Sequence, residues 1–75
     1  MAAVAGSGQV AVTVNGESRF AAAGSSLHDL VEAVGCAGKP IAVEVDGCVV
    51  PRARHAEVRL AGGERIEIVT FVGGG

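Results

Sequence analysis

Apolar side chains fall at every second position in QVAVTV, residues 9–14, so Val10, Val12 and Val14 share one face of an extended segment. Asn15-Gly16 follows, a dipeptide that closes tight hairpins because both residues accept positive φ, and ESRFAA (17–22) returns as the second strand. At Gly24-Ser25-Ser26 the period changes. Leu27, Leu30, Val31 and Val34 recur at the spacing of one helical face, which predicts a helix over about 26–34. Ser25 or Ser26 is its N-cap, Asp29 and Glu32 lie toward the positive end of the helix dipole, and Gly35 offers a left-handed stop.

The period of two then resumes. IAVEV (41–45), a turn at Asp46-Gly47 and CVV (48–50) predict a second hairpin, which Pro51 closes because it has no amide proton for the ladder. RARHAEVRL (52–60) fits two descriptions: Ala56, Val58 and Leu60 alternate as a short edge strand would, and a single helical turn around 52–56 fits as well. After a turn at Gly62-Gly63-Glu64, RIEIVTF (65–71) is too apolar for an edge and is expected in the middle of the sheet. The order ββαβ(β)β with a single apolar helix stripe predicts an α+β roll, one helix lying in the concavity of a mixed sheet.

Length and composition bound what such a roll can do. Seventy-five residues make one domain, here divided as 1–8 (a flexible leader), 9–72 (the folded domain) and 73–75 (a flexible glycine tail). The AVILMFWYC residues are 49% of the chain but Phe20 and Phe71 are its only aromatics, so the core is expected from Val, Ile, Leu and Ala. Such a core leaves little room for a substrate pocket of roughly 300 Å³ or more. The net charge is −2 and the six basic residues are scattered, which argues against nucleic acid. No apolar run approaches the ~20 residues of a membrane span. MAAVAGSG lacks the basic n-region and unbroken apolar core of a secretion signal, so Cys36 and Cys48 read as small buried hydrophobes in a reducing cytosol.

Candidate metal and acid–base sites are weak. His28, Cys36, Cys48 and His55 are separated by 8, 12 and 7 residues, which matches no finger or ribbon pattern. His28 is expected on a polar helix face and His55 in a loop, and no metal site is expected. Asp29 and Glu32 read as a charged helix surface, and Cys48 has no basic neighbour in sequence to activate it.

The strongest chemical signal is the ending IEIVTFVGGG (66–75). Three glycines after a strand, with no Cβ among them, can thread a passage too narrow for side chains, carrying a carboxylate about 10–14 Å from the body. A carboxylate delivered in this way can be activated by adenylation and attacked by a thiol, a persulfide or an amine. VTVNGE, LHDLVEAV, VEVDGCVVPR and GERIEIVTFVGGG together resemble the thiamin-pathway sulfur carriers of the ThiS/MoaD group, over about residues 9–75. The resemblance implies a β-grasp, ubiquitin-like roll with a four- to five-stranded sheet and one main helix. It further implies a protein co-substrate, not an enzyme, that binds no cofactor and works in the cytoplasm. An E1-like enzyme would use ATP to adenylate Gly75, and a cysteine desulfurase or other donor would supply sulfur. The resulting thiocarboxylate would pass it to thiazole synthase or another sulfur-accepting synthase. Gly73 and Gly74 would be the linker and Phe71 and Val72 would guide it into partner sites.

The open sheet face, expected to be rich in Val and Ile with Arg52 and Arg65 on its rim, is the natural docking patch. Alternatives are the same chemistry serving molybdopterin, cysteine or a sulfur-containing natural product, a ubiquitin-like modifier of lysines, and a passive interaction module.

Overall fold

A computed structural model of the chain describes residues 8–71. Strands β1 (Gln9–Val14) and β2 (Glu17–Ala22) precede helix α1 (Leu27–Ala33). Strands β3 (Ile41–Val45) and β4 (Cys48–Val50), a 3₁₀ helix at Arg52–Glu57 and strand β5 (Arg65–Thr70) complete the order. The five strands form one mixed sheet in the order β2-β1-β5-β3-β4. β5 is central as its apolar sequence predicts, parallel to β1 and antiparallel to β3.

The two hairpins rest on the turns that the sequence specifies. Asn15 (φ 51) and Gly16 (φ 84) repeat in Asp46 (φ 51) and Gly47 (φ 86), the pair of left-handed conformations that matches the twist of a two-residue hairpin. In β1, Val10, Val12 and Val14 face inward, and Ile66 and Ile68 of β5 and Val43 of β3 join them. Leu27, Leu30 and Val31 of α1 close the core from the concave side, with Leu60 beneath. Neither phenylalanine takes part: Phe20 and Phe71 are both exposed.

Ser26 is the N-cap of α1 and forms a reciprocal box with Asp29. The Asp29 amide donates to Ser26 Oγ at 3.1 Å and the Ser26 amide donates to Asp29 Oδ2 at 3.0 Å. The Ser26 backbone amide first, and then the Ser26 side chain, hold the Asp29 carboxyl below the usual carboxylate range. Since folding depresses this pKa, the stabilisation is complete above the unfolded value near 4 and is lost as the pH falls through the folded one. Ser26→Ala is expected to cost about 1 kcal/mol in urea melts at neutral pH. The stability gap between the wild type and Asp29→Ala should close on acidification below about pH 4; a gap that persists there would contradict the cap assignment.

The ambiguous stretch resolves toward the helical turn. Residues 52–57 form the 3₁₀ helix, entered from Pro51 at φ −59, so the edge-strand alternative fails over this length. Val58–Leu60 is extended, but it pairs with the approach to α1 instead of joining the sheet: the Leu27 amide donates to the Val58 carbonyl and the Leu60 amide to the Ser25 carbonyl, both at 2.8 Å.

Two further expectations are corrected. His55 lies in the 3₁₀ helix instead of a loop; it is only 4% exposed, and its Nε2–H donates to the Val50 carbonyl at 3.0 Å, since a carbonyl can only accept. Cys48 is exposed and Cys36 half-buried, so neither thiol is the fully buried hydrophobe expected. The turn that precedes Cys48 leaves it on the short strand β4, at the rim of the sheet formed by the described residues.

Candidate functional site

The site is built where β5 leaves the sheet. Its register with β3 runs from Val45↔Ile66 to Ile41↔Thr70, and the next amide, Phe71, donates to the Pro40 carbonyl at 2.9 Å. The chain is thus held along its whole length until Phe71, which stands 57% exposed. Val72, Gly73, Gly74 and Gly75 lie outside the described residues.

Arg52 and Arg65 mark opposite ends of this strand. The Arg52 guanidinium donates to the Lys39 carbonyl, beside the Pro40 that holds Phe71. The Arg65 amide donates to Asp46 Oδ1 at 2.9 Å, at the tip of the second hairpin. A β-strand rise of roughly 3.3 Å per residue separates the two ends by about 20 Å, so one small partner surface meets either arginine more readily than both.

The open face of the sheet differs from the expected Val- and Ile-rich patch. Ile66 and Ile68 are buried on the helix side, and Ile41, opposite Thr70, shares that side. The outward positions near Phe71 are Val69 and Ala42, opposite each other, with Val49 opposite Glu44. At the centre of this face Glu44 and Glu67 stand directly across from one another, two carboxylates in one cross-strand pair. Like charges so placed repel. Sequence shows each as an outward glutamate by the period of two, but only the β3–β5 register brings them together. Glu67→Lys, creating an opposite-charge pair with Glu44, is expected to raise stability by about 0.2–1 kcal/mol at low salt. An unchanged urea midpoint at low ionic strength would show that the pair is already relieved.

Asn15 has a second part that sequence reasoning missed. β1 pairs with β5 only through Thr13↔Arg65 and Val14↔Ile66 before it turns away. The Asn15 side chain continues the ladder in its place: Oδ1 accepts from the Ile68 amide at 2.8 Å and Nδ2 donates to the Ile68 carbonyl at 3.1 Å. A primary carboxamide has the donor and acceptor of a peptide unit, so Asn15 both makes the turn and steadies the strand that carries the exit.

Two clefts among the described residues measure about 250 Å³ each, below the ~300 Å³ usual for a small-molecule site. His28 and Glu32 lie on the exposed helix face, 3.7 Å apart, with Asp29 engaged in the cap. Among the described residues no group of three or more His, Cys, Asp or Glu is placed to hold a metal ion, and no helix is long and apolar enough to cross a membrane. What the geometry offers is a rigid body with an exposed, unobstructed exit at Phe71.

Comparison with known proteins places this geometry. Residues 9–75 match the ThiS family. A crystal structure of the thiamine biosynthesis protein ThiS from Geobacter metallireducens superposes with a TM-score of 0.72 at 28% identity, covering 87% of this chain and 99% of that one. The fold is therefore the β-grasp roll that the family resemblance implies, and it agrees with the α+β roll read from the element order. Thiazole synthases from Paramagnetospirillum magneticum and Magnetococcus marinus are 34% and 39% identical over 64 residues, which are 85% of this chain. The chain spans only about 20% of the length of these curated relatives.

Proposed function

The chain belongs to the ThiS family, and from that premise we propose that it is a sulfur carrier for thiamin thiazole synthesis, a co-substrate whose chemistry resides in Gly75. The observation that carries this reading is the family match itself, which extends through Gly73–Gly75. The fold supports it: β5 is pinned on both flanks up to Ile68 and leads the chain outward at Phe71.

The steps follow from carboxylate chemistry. A carboxylate is a poor electrophile, so a Gly75 oxygen attacks the α-phosphorus of ATP in an E1-like enzyme, releasing pyrophosphate and leaving an acyl adenylate. Persulfide sulfur from a cysteine desulfurase or another donor attacks the acyl carbon and displaces AMP. A thiol then cleaves the acyl disulfide, and the thiocarboxylate remains on Gly75. This chain contributes no acid or base to these steps; it presents the acyl group, and ATP stays with the activating partner. Glycines at 73 and 74 suit a narrow channel because no Cβ widens them. Phe71 and Val72 steer the tail, Arg52 lies beside the exit and Arg65 at the far end of β5.

The acceptor in this reading is a thiazole synthase. Two proteins of that name contain a segment similar to this chain within one polypeptide, an arrangement expected when carrier and acceptor must meet. Intact mass spectrometry after incubation with a purified E1-like enzyme, ATP and sulfide tests the proposal. A gain equal to the exchange of one oxygen for sulfur, dependent on ATP, is expected. An unchanged mass with an enzyme proven competent on another carrier would remove it.

A further inference from the structure

We propose that the edge of β5 beyond Asn15 accepts an extended segment of the sulfur-accepting synthase as an added β-strand, paired through the amide and carbonyl of Thr70; this rests on the carrier reading above.

The backbone of β5 alternates its hydrogen-bonding groups between its neighbours. Odd positions serve β3 and the turns beside it: the Arg65 carbonyl accepts from Asp46 and the Phe71 amide donates to Pro40. Even positions point toward β1. The Ile66 carbonyl accepts from the Asn15 amide at 2.8 Å, and Ile68 is met at both its amide and its carbonyl by the Asn15 side chain. Thr70 is next in this series. β1 has already turned away, and among the described residues nothing pairs with the Thr70 amide or carbonyl on that side.

This gap differs from the rim edges of β2 and β4. It opens inside the sheet, next to a peptide-like group that already occupies the preceding position, so an incoming strand continues a ladder instead of starting one. Main-chain pairing of this kind gives affinity, and alternate side chains give selectivity. A cleft of about 250 Å³ adjoins the gap, with Val14, Val34 and Ile68 among its apolar walls and Glu17 and Arg19 as charged ones. A strand laid along β5 turns every second side chain toward the helix side of the sheet. One aliphatic side chain of the incoming segment would enter this cleft.

The tail selects the occupant. From Thr70 to Gly75 the chain reaches at most about 17 Å, so whatever receives the Gly75 carbonyl must come within that distance of the gap. The segments similar to this chain that lie within thiazole synthases put synthase sequence covalently beside such a domain.

Amide hydrogen exchange followed by NMR, on the carrier alone and then with purified thiazole synthase or with the activating enzyme, tests the proposal. In the free protein the Thr70 amide should exchange quickly while Val69 and Phe71 are protected; the synthase should slow Thr70 at least about tenfold, as forming one hydrogen bond of ordinary net strength would. Protection of Thr70 in the free carrier would overturn the proposal, because the edge would not be open. Binding of the synthase with Thr70 still exchanging quickly would overturn it and leave the carrier reading standing. Protection by the activating enzyme alone would assign the edge to the wrong partner. Failure of the synthase to bind at all would remove the thiazole acceptor and this inference with it.

Discussion

Deleting Gly75 is expected to lower sulfur transfer to the thiazole synthase by at least about 100-fold, since a misplacement of even 1 Å at a reacting group can cost that much, while the melting temperature of the domain stays where it was. The shortened chain still ends in a glycine carboxylate, so the chemistry of the group is unchanged. Only its reach is altered, by about 3.5 Å for one residue. Among the described residues every buried apolar side chain lies between Val10 and Ile68, and a glycine has no side chain to take out of a core. Thiocarboxylate formation by mass and thiazole formation by chromatography, measured on both chains, check the result. Transfer by the shortened carrier within tenfold of the full chain would mean that the reactive carbonyl is not at Gly75. Gly74→Val should fail as well, although its length is right, because a β-branched side chain widens a tail meant for a narrow channel.

Ile66→Ala has the largest expected effect on stability. Ile66 has no exposed surface and lies on the central strand, between Val45 of β3 and Val14 of β1. Truncation of a buried isoleucine costs about 2–5 kcal/mol, the lost transfer energy plus that of the cavity. A domain of this size has roughly 4–11 kcal/mol in all, so the variant should be partly unfolded near body temperature. The melting temperature should fall by on the order of 8–40 °C, at 4–8 °C for each kcal/mol. Val49→Ala, which alters a side chain 67% exposed, is the control and should shift it by a degree or two. Equal shifts in the two variants would contradict the central placement of β5.

The elements that proved legible in the sequence depend on neighbours within one turn or one strand. Asn15-Gly16 and Asp46-Gly47 require left-handed backbone at both positions and have it. Leu27, Leu30 and Val31 repeat at helical spacing and are buried together. What the sequence does not disclose depends on partners far along the chain. The Asn15 carboxamide meets Ile68 across 53 positions, and Glu44 faces Glu67 only because β3 and β5 pair in one particular register. His55 read as a loop residue, but it lies in the 3₁₀ turn after Pro51 and its ring is hydrogen-bonded to the Val50 carbonyl. Gly73–Gly75 lie outside the described residues, and the expectation for them rests on residue types and order and on a family match that extends through Gly75.

The central position of β5 has a mechanical consequence. When a partner pulls on the tail, the load enters the middle strand and runs along its axis, where the ladder with β3 and the contacts from β1 and Asn15 resist together in shear. A strand at the rim, such as β4, would meet the same force with a ladder on one side only. A partner that grips the chain beyond Phe71 would therefore load the sheet at a strand held from both sides, by β1 and by β3.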